Sequence, residues 1–240
     1  MKNGEEDPPQ GLRHVLTTLR EDLCASAPAL HSNAESEIKD MGRGHLTLEF
    51  QAGERSCVMD ICGDRLTHAA FLWNERPLFE NQFEDRRLLS AILNRWVSEG
   101  AMPSEKRVEF PRLEIDALAD YYERGEPVVG EFMRSWDAIE EYYREDNGDY
   151  YKAVRGLIRA MRDAGYDRQL RAGQSMASFG LSRSQGQGLR DDQSRLWFDI
   201  GVKDMDVDAN FAPGSLQRHP VRLTEEVRQR LDALANLEIS

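Results

Sequence analysis

Two hydrophobic periods take turns along the chain, and their order predicts the architecture. Near the start Leu12, Val15, Leu16, Leu19 and Leu23 recur at three- and four-residue steps, one apolar face of a helix that Pro28 closes. Residues 33–44 are polar and read as a loop. The period then drops to two. Leu46, Leu48 and Phe50 share one side of a strand over 45–50, and strands over 56–62 and 66–73 follow, joined by the turn pair Gly63-Asp64. From 85 to 98 the helical period returns in Leu88, Leu89, Ile92, Leu93, Trp96 and Val97, and Gly100 ends it.

Three further helices fit 113–124, 129–145 and 150–163. Gly125 and Pro127 stop the first, Asn147-Gly148 separates the second from the third, and Gly165 ends the third. Residues 175–192, rich in Gly, Ser, Gln and Arg, read as a loop broken by an apolar piece at Phe179 and Leu181. A second alternating segment carries Leu196, Phe198, Ile200 and Val202, then Met205, Val207, Ala209 and Phe211. The last helix has Thr224 as its N-cap, Glu225 and Glu226 at its positive end, and Val227, Leu231 and Leu234 as its core face. No repeat of 20–50 residues is visible.

Strands followed by helices, without regular βαβ alternation, predict an α+β fold. Its parts are an antiparallel meander with several packed helices and a short β-β-α element at the C-terminus. The division expected is 1–174 and 175–240, the second piece being either separate or part of the same domain, since two strands and a helix barely fold alone.

Charge adds a feature that periodicity does not show. Six of the seven tyrosines come as adjacent pairs, Tyr121-Tyr122, Tyr142-Tyr143 and Tyr150-Tyr151, each flanked by a carboxylate. From Glu114 to Asp149 twelve Asp and Glu stand against three Arg, a charge of −9 within a chain of net charge −12. From Tyr150 to Arg190 eight Lys and Arg stand against two Asp, or +6. Helical spacing assigns Tyr143 to a buried stripe with Phe132, Trp136 and Ile139. It likewise sets Tyr150 with Val154, Leu157 and Met161, and Tyr122 with Ile115 and Leu118. Tyr121, Tyr142 and Tyr151 then fall at the boundary or on the surface. Tyrosine gives large contact area with few rotors to freeze, and charge steers encounters. A partner-binding face of Tyr121, Tyr142, Tyr151, Glu123, Glu141, Glu145 and Asp146 follows, complementary to a basic protein. An immunity- or antitoxin-like inhibitor of a basic toxin, bacterial in style, is one concrete form of it.

A rival candidate lies in the basic segment. Arg171, Gln174, Ser182, Arg183 and Arg190 surround the flexible Gly186 and Gly188, and could gather about a phosphate or carboxylate as an enzyme's anion site. A third reading makes the −9 and +6 segments answer one another inside a structural or assembly subunit.

Other chemistry is sparse. There is no phosphate-binding loop, dinucleotide glycine fingerprint or paired-histidine zinc helix, and the five histidines are scattered. No metal or cofactor is expected. Asp204, Asp206 and Asp208 have the spacing of a calcium loop, but Ala209 and Ser215 stand where the glycine and glutamate belong, so a solvated strand face is the expectation. A pI near 5.0 makes nucleic acid an improbable partner. No apolar run reaches the ~20 residues of a membrane span. The first residues lack a signal-peptide pattern, and three cysteines give no closed disulfide framework, so a cytoplasmic binding protein rather than an enzyme is expected.

Overall fold

The computed structural model describes residues 10–42, 45–62, 66–144, 148–175, 178–184, 193–211 and 216–239. It contains two five-stranded antiparallel sheets and eight α-helices among those residues, an α+β fold. The chain parts into two compact units, Met1–Glu123 and Arg124–Ser240, each with its own hydrophobic core.

In the first unit, helices α1 (Gln10–Ser26) and α2 (Pro28–Asn33) precede strands β1 (Glu35–Asp40), β2 (Leu46–Ala52), β3 (Arg55–Cys62), β4 (Leu66–Trp73) and β5 (Arg76–Phe83). The strands pair in sequence order, a simple meander. Register is fixed by one buried row, Phe50 opposite Cys57, Cys57 opposite Phe71 and Phe71 opposite Phe79. A slip of one residue would turn that row to the other face. Phe71 stacks on Phe79 with centroids 4.5 Å apart, and Trp96 meets Phe79 edge-on at 5.0 Å. Helix α3 (Arg86–Leu93) starts where Asp85 accepts hydrogen bonds from the Arg87 and Leu88 amides, and continues into a π-helical turn, Asn94–Ser98. Short helices α4 (Pro103–Glu109) and α5 (Leu118–Glu123) complete the unit.

The second unit opens with α6 (Pro127–Tyr142) and α7 (Asp149–Asp163), then a 3₁₀ turn, Tyr166–Arg168. Strands β6 (Arg171–Ser175), β7 (Ser178–Ser182), β8 (Arg195–Ile200), β9 (Asp204–Ala209) and β10 (Gln217–Pro220) again pair in sequence order, and α8 (Glu225–Ala235) closes the chain. Each unit is therefore helix, five-strand meander, helix. The inner rows are Ala172–Leu181–Leu196–Ala209 and Phe179–Phe198–Val207. Against them lie the α6 stripe of Trp136, Ile139 and Tyr143 and the α7 stripe of Val154, Leu157 and Met161. Thr224 caps α8, its hydroxyl accepting from the Val227 amide. The C-terminal β-β-α element expected from alternation is present as β8, β9 and α8, with β10 added between the last two.

Several local expectations are corrected. Residues 35–40, expected in a loop, form edge strand β1, whose charges keep an exposed edge from pairing with other chains. Of the helix expected over 113–124 only Leu118–Glu123 is helical, because Ile115 instead bridges to Phe79 and the Asp116 amide donates to the Leu78 carbonyl. The loop expected from 175 onward begins as the β6–β7 hairpin, and position 174/175 lies within β6. Leu88 is exposed, since Leu89 beside it takes the core-facing position. Val202 is exposed as well, because β8 ends at Ile200. The turn Gly63-Asp64 falls outside the described residues.

Candidate functional site

The feature that gathers Glu141, Tyr142 and Tyr151 of the expected binding residues lies where α6 runs out and α7 begins. Arg155 on α7 donates through Nη1 to the carbonyls of Tyr143 (2.7 Å) and Arg144 (3.3 Å), groups that a helix end leaves without partners. This cap holds the end of α6 against α7 and brings two tyrosine pairs together. Tyr143 is buried, with Tyr142 edge-on at 5.0 Å, Tyr151 at 6.1 Å and Tyr150 at 6.5 Å; Tyr150 and Tyr151 meet edge-on at 5.1 Å. These are the edge-to-face separations that aromatic quadrupoles favour.

Burial separates the four by role. Tyr143 completes the α6 stripe as its spacing implied, while Tyr150 and Tyr151 are half-buried at the rim. Tyr142 is 57% exposed. Burial holds the Tyr143 hydroxyl well above the usual tyrosine range, and the neighbouring Tyr150 adds to the effect. Burial raises Tyr150 too. The Tyr143 and Tyr150 hydroxyls therefore remain protonated and neutral at physiological pH.

The acidic stretch runs through both units: Asp120 pairs with Arg107 in the first, and several carboxylates are paired in the second. Arg162 is the hub, with Asp137 at 2.7 Å, Glu140 at 2.8 Å and Asp167 at 3.4 Å. Arg171 pairs with Glu131 at 3.4 Å, and Arg168 lies 4.0 Å from Glu126. Arg162, Arg168 and Arg171 of the +6 segment thus pair with Glu126, Glu131, Asp137 and Glu140 of the −9 segment. Two local pairs, Glu141 with Arg144 and Asp149 with Lys152, are well exposed. Exposed pairs of this kind are worth about 0–1 kcal/mol and are easily exchanged.

The other expected partner-binding residues are placed differently. Tyr121 is half-buried and belongs to the first unit, and Glu123 at the end of α5 accepts from the Ser104 amide and hydroxyl at the start of α4. Glu145 and Asp146 lie outside the described residues.

The rival anion site is drawn on by the framework. Arg183 donates through Nη1 to the carbonyls of Ala235 and Leu237, closing the end of α8. Arg171 and Ser182 are cross-strand neighbours in β6 and β7, with Ser182 buried and Arg171 paired to Glu131. Gln174, three residues along β6, points to the opposite face from Arg171. Arg190 lies outside the described residues.

Asp204, Asp206 and Asp208 do share the outer face of β9 while Met205, Val207 and Ala209 are buried, and Asp206 makes a forked pair with Arg218 at 2.9 and 3.0 Å. Among the described residues no group of three or more His, Cys, Asp or Glu is placed to hold a metal ion, and no helix is long and apolar enough to cross a membrane. Sequence reasoning passed over two buried cations of the first unit, Arg55 and Lys106, because the residues around them are distant in the chain or in a helix it did not see. No protein-family model, curated protein or solved structure matches the chain at a significant level.

Proposed function

We propose that the protein is a recognition module that grips a basic protein partner through the α6–α7 junction, with Tyr142 as the anchor. The observation that carries this reading is an exposed tyrosine mounted edge-on against a buried one, Tyr143, which is itself wedged between Tyr150 and Tyr151. An anchor already held in place loses little conformational entropy on binding, which is why rigid aromatics dominate interface energetics. Glu141 precedes Tyr142 and Asp149 precedes Tyr150 in the chain, and basic groups of a partner can replace Arg144 and Lys152 at little cost, since those pairs are exposed. An inhibitor of the immunity or antitoxin kind, occluding a basic active site, is one form of such a module.

The internal pairing of Arg162, Arg168 and Arg171 favours a second reading, in which the charge segments serve the fold of a structural or assembly subunit. The two readings differ at Tyr142. Parallel capture at low salt with wild-type and Tyr142→Ala protein identifies the ligand of this face, and binding kinetics follow with the purified ligand. Tyr142→Ala is expected to weaken binding by about 2 kcal/mol, roughly 30-fold, mostly through faster dissociation. Its own stability should move by no more than about 0.5 kcal/mol. Raising salt from about 0.1 to 1 M should slow association as the Debye length shrinks from ~10 to ~3 Å. A ligand that binds both proteins alike leaves only the structural reading.

A further inference from the structure

The first unit holds a cation that none of its described carboxylates pairs with. Arg55 opens β3 with its side chain on the core side of the sheet and is only 7% exposed. Its Cζ lies 3.4 Å from the centroid of the Trp73 ring and 3.9 Å from that of Trp96. The two indoles stand at 81° to each other with centroids 6.4 Å apart, so the guanidinium occupies the corner between them. Both walls are fixed. Trp96 Nε1 donates to the carbonyls of Ser56 and Leu72, Trp73 Nε1 donates to Glu54, and Tyr122 leans on the Trp73 ring at 5.7 Å.

Indole faces attract a guanidinium but accept no hydrogen bond in its plane. Among the described residues Nη2 reaches only the Met102 sulfur, at 3.9 Å, and Nη1 is sealed from water with no hydrogen-bond partner. Glu54 and Glu123 influence the charge from a distance, yet the first is engaged by Trp73 and the second by Ser104. A buried charged donor left unmatched carries its full desolvation penalty. An incoming oxygen anion would relieve that penalty with a charge-assisted bond, the strong kind that arginine makes in forked pairs. The way in is short, because Met102, whose thioether shields Nη2, is itself exposed.

We propose that the Arg55–Trp73–Trp96 corner is a carboxylate-binding site, entered by displacement of the Met102 side chain. This is independent of the tyrosine junction, which belongs to the other unit. A monoanion suits the site because one guanidinium balances one negative charge. A dianionic phosphate would bring a second charge towards Glu54 and Glu123, which repel it. The carboxylate can come from a chain terminus or an acidic side chain, and the recognition chemistry is the same.

The test uses the full chain labelled with nitrogen-15 and follows the Arg55 Nε–H and the Trp73 and Trp96 indole N–H resonances. N-acetylglycine stands for a chain terminus, N-acetylglutamate α-amide for an acidic side chain, and N-acetylglycinamide for the uncharged control. At least one of the two carboxylates should shift all three resonances saturably, with a midpoint in the millimolar range expected of a fragment of about eight heavy atoms. The larger response of the two tells which source fits. Arg55→Met, which keeps an unbranched side chain between the indoles, should abolish the response. Met102→Ala should tighten binding several-fold by opening the entrance, and it keeps the test valid if Arg55→Met does not fold. A response equal for N-acetylglycinamide, a response that survives Arg55→Met, stronger binding of inorganic phosphate, or no shift of Arg55 with any probe overturns the assignment.

Discussion

Trp136→Ala is expected to cost the Arg124–Ser240 unit about 3–5 kcal/mol, the usual loss for a large aromatic removed from a core. Trp136 is fully buried, packs edge-on against Phe179 at 5.7 Å, and donates from Nε1 to the Leu170 carbonyl at 2.7 Å. Truncation opens a cavity between α6 and the sheet and leaves that carbonyl without its partner, and the two penalties act together. Trp136→Phe separates them. It keeps most of the bulk and loses the donor, so about 1–3 kcal/mol is expected from the unmatched carbonyl and the smaller ring. Chemical denaturation followed by hydrogen exchange of β7 and β8 amides measures the change in this unit alone. A loss under about 1 kcal/mol for Trp136→Ala, the range of exposed sites, would falsify the placement of the stripe.

That stripe was legible because a helix repeats its geometry. Phe132, Trp136, Ile139 and Tyr143 step by four, three and four, and all four are buried. Alternation was equally readable where both neighbours are ordinary strands, as in Leu196, Phe198 and Ile200 or Met205, Val207 and Ala209. What escaped the sequence breaks its own period. In β5 the consecutive residues Leu78 and Phe79 are both buried, at a place where the pairing with β4 shifts register between Phe71 and Leu72. A bulge of that kind puts two neighbours on one face and erases the alternation. The turn before it gave no glycine signal either, since Asn74 and Glu75 themselves adopt positive φ, at 49° and 64°. β1 is a charged edge and looks like loop for the reason that makes it a safe edge.

The tyrosine junction was half legible. Helical phase told Tyr143 from Tyr142, the difference between a buried support and an exposed anchor. It could not show that the end of α6 folds back on the start of α7, which depends on Arg155 finding two free carbonyls. Nor could a count of charges foresee that Arg162 takes Asp137 and Glu140 for itself. Net charge along a segment says how much field is available, and only the pairing says how much of it reaches solvent.

Lys106→Met is expected to stabilise the Met1–Glu123 unit at neutral pH by roughly 2–3 kcal/mol, an unusual direction for a core substitution. Lys106 on α4 is fully buried, its Nζ has no hydrogen-bond partner among the described residues, and the Phe110 ring lies 5.2 Å away. The nearby acids do not reach it. Arg95 holds Glu99 and Glu109 for itself, and Glu105 turns back to the Met102 amide. Burial pushes the Lys106 ammonium down to about 8, Glu109 pulling against the shift and Arg95 reinforcing it. In the unfolded chain a lysine keeps its proton to about 10.4. Below about pH 8 both states are charged, and the folded state carries the whole penalty of a buried, unmatched ammonium. Between about pH 8 and 10.4 the folded state sheds the proton while the unfolded state retains it, so the unfolded state binds more protons and stability rises with pH. Methionine fills nearly the same volume without the charge, so its advantage should be largest at neutral pH and shrink through that window. Urea unfolding of both proteins at several pH values tests this, since the titrating groups common to both cancel in the difference between them. A gap that stays constant with pH, or a methionine variant weaker throughout, means that the ammonium has a partner and that the buried charge supports the fold.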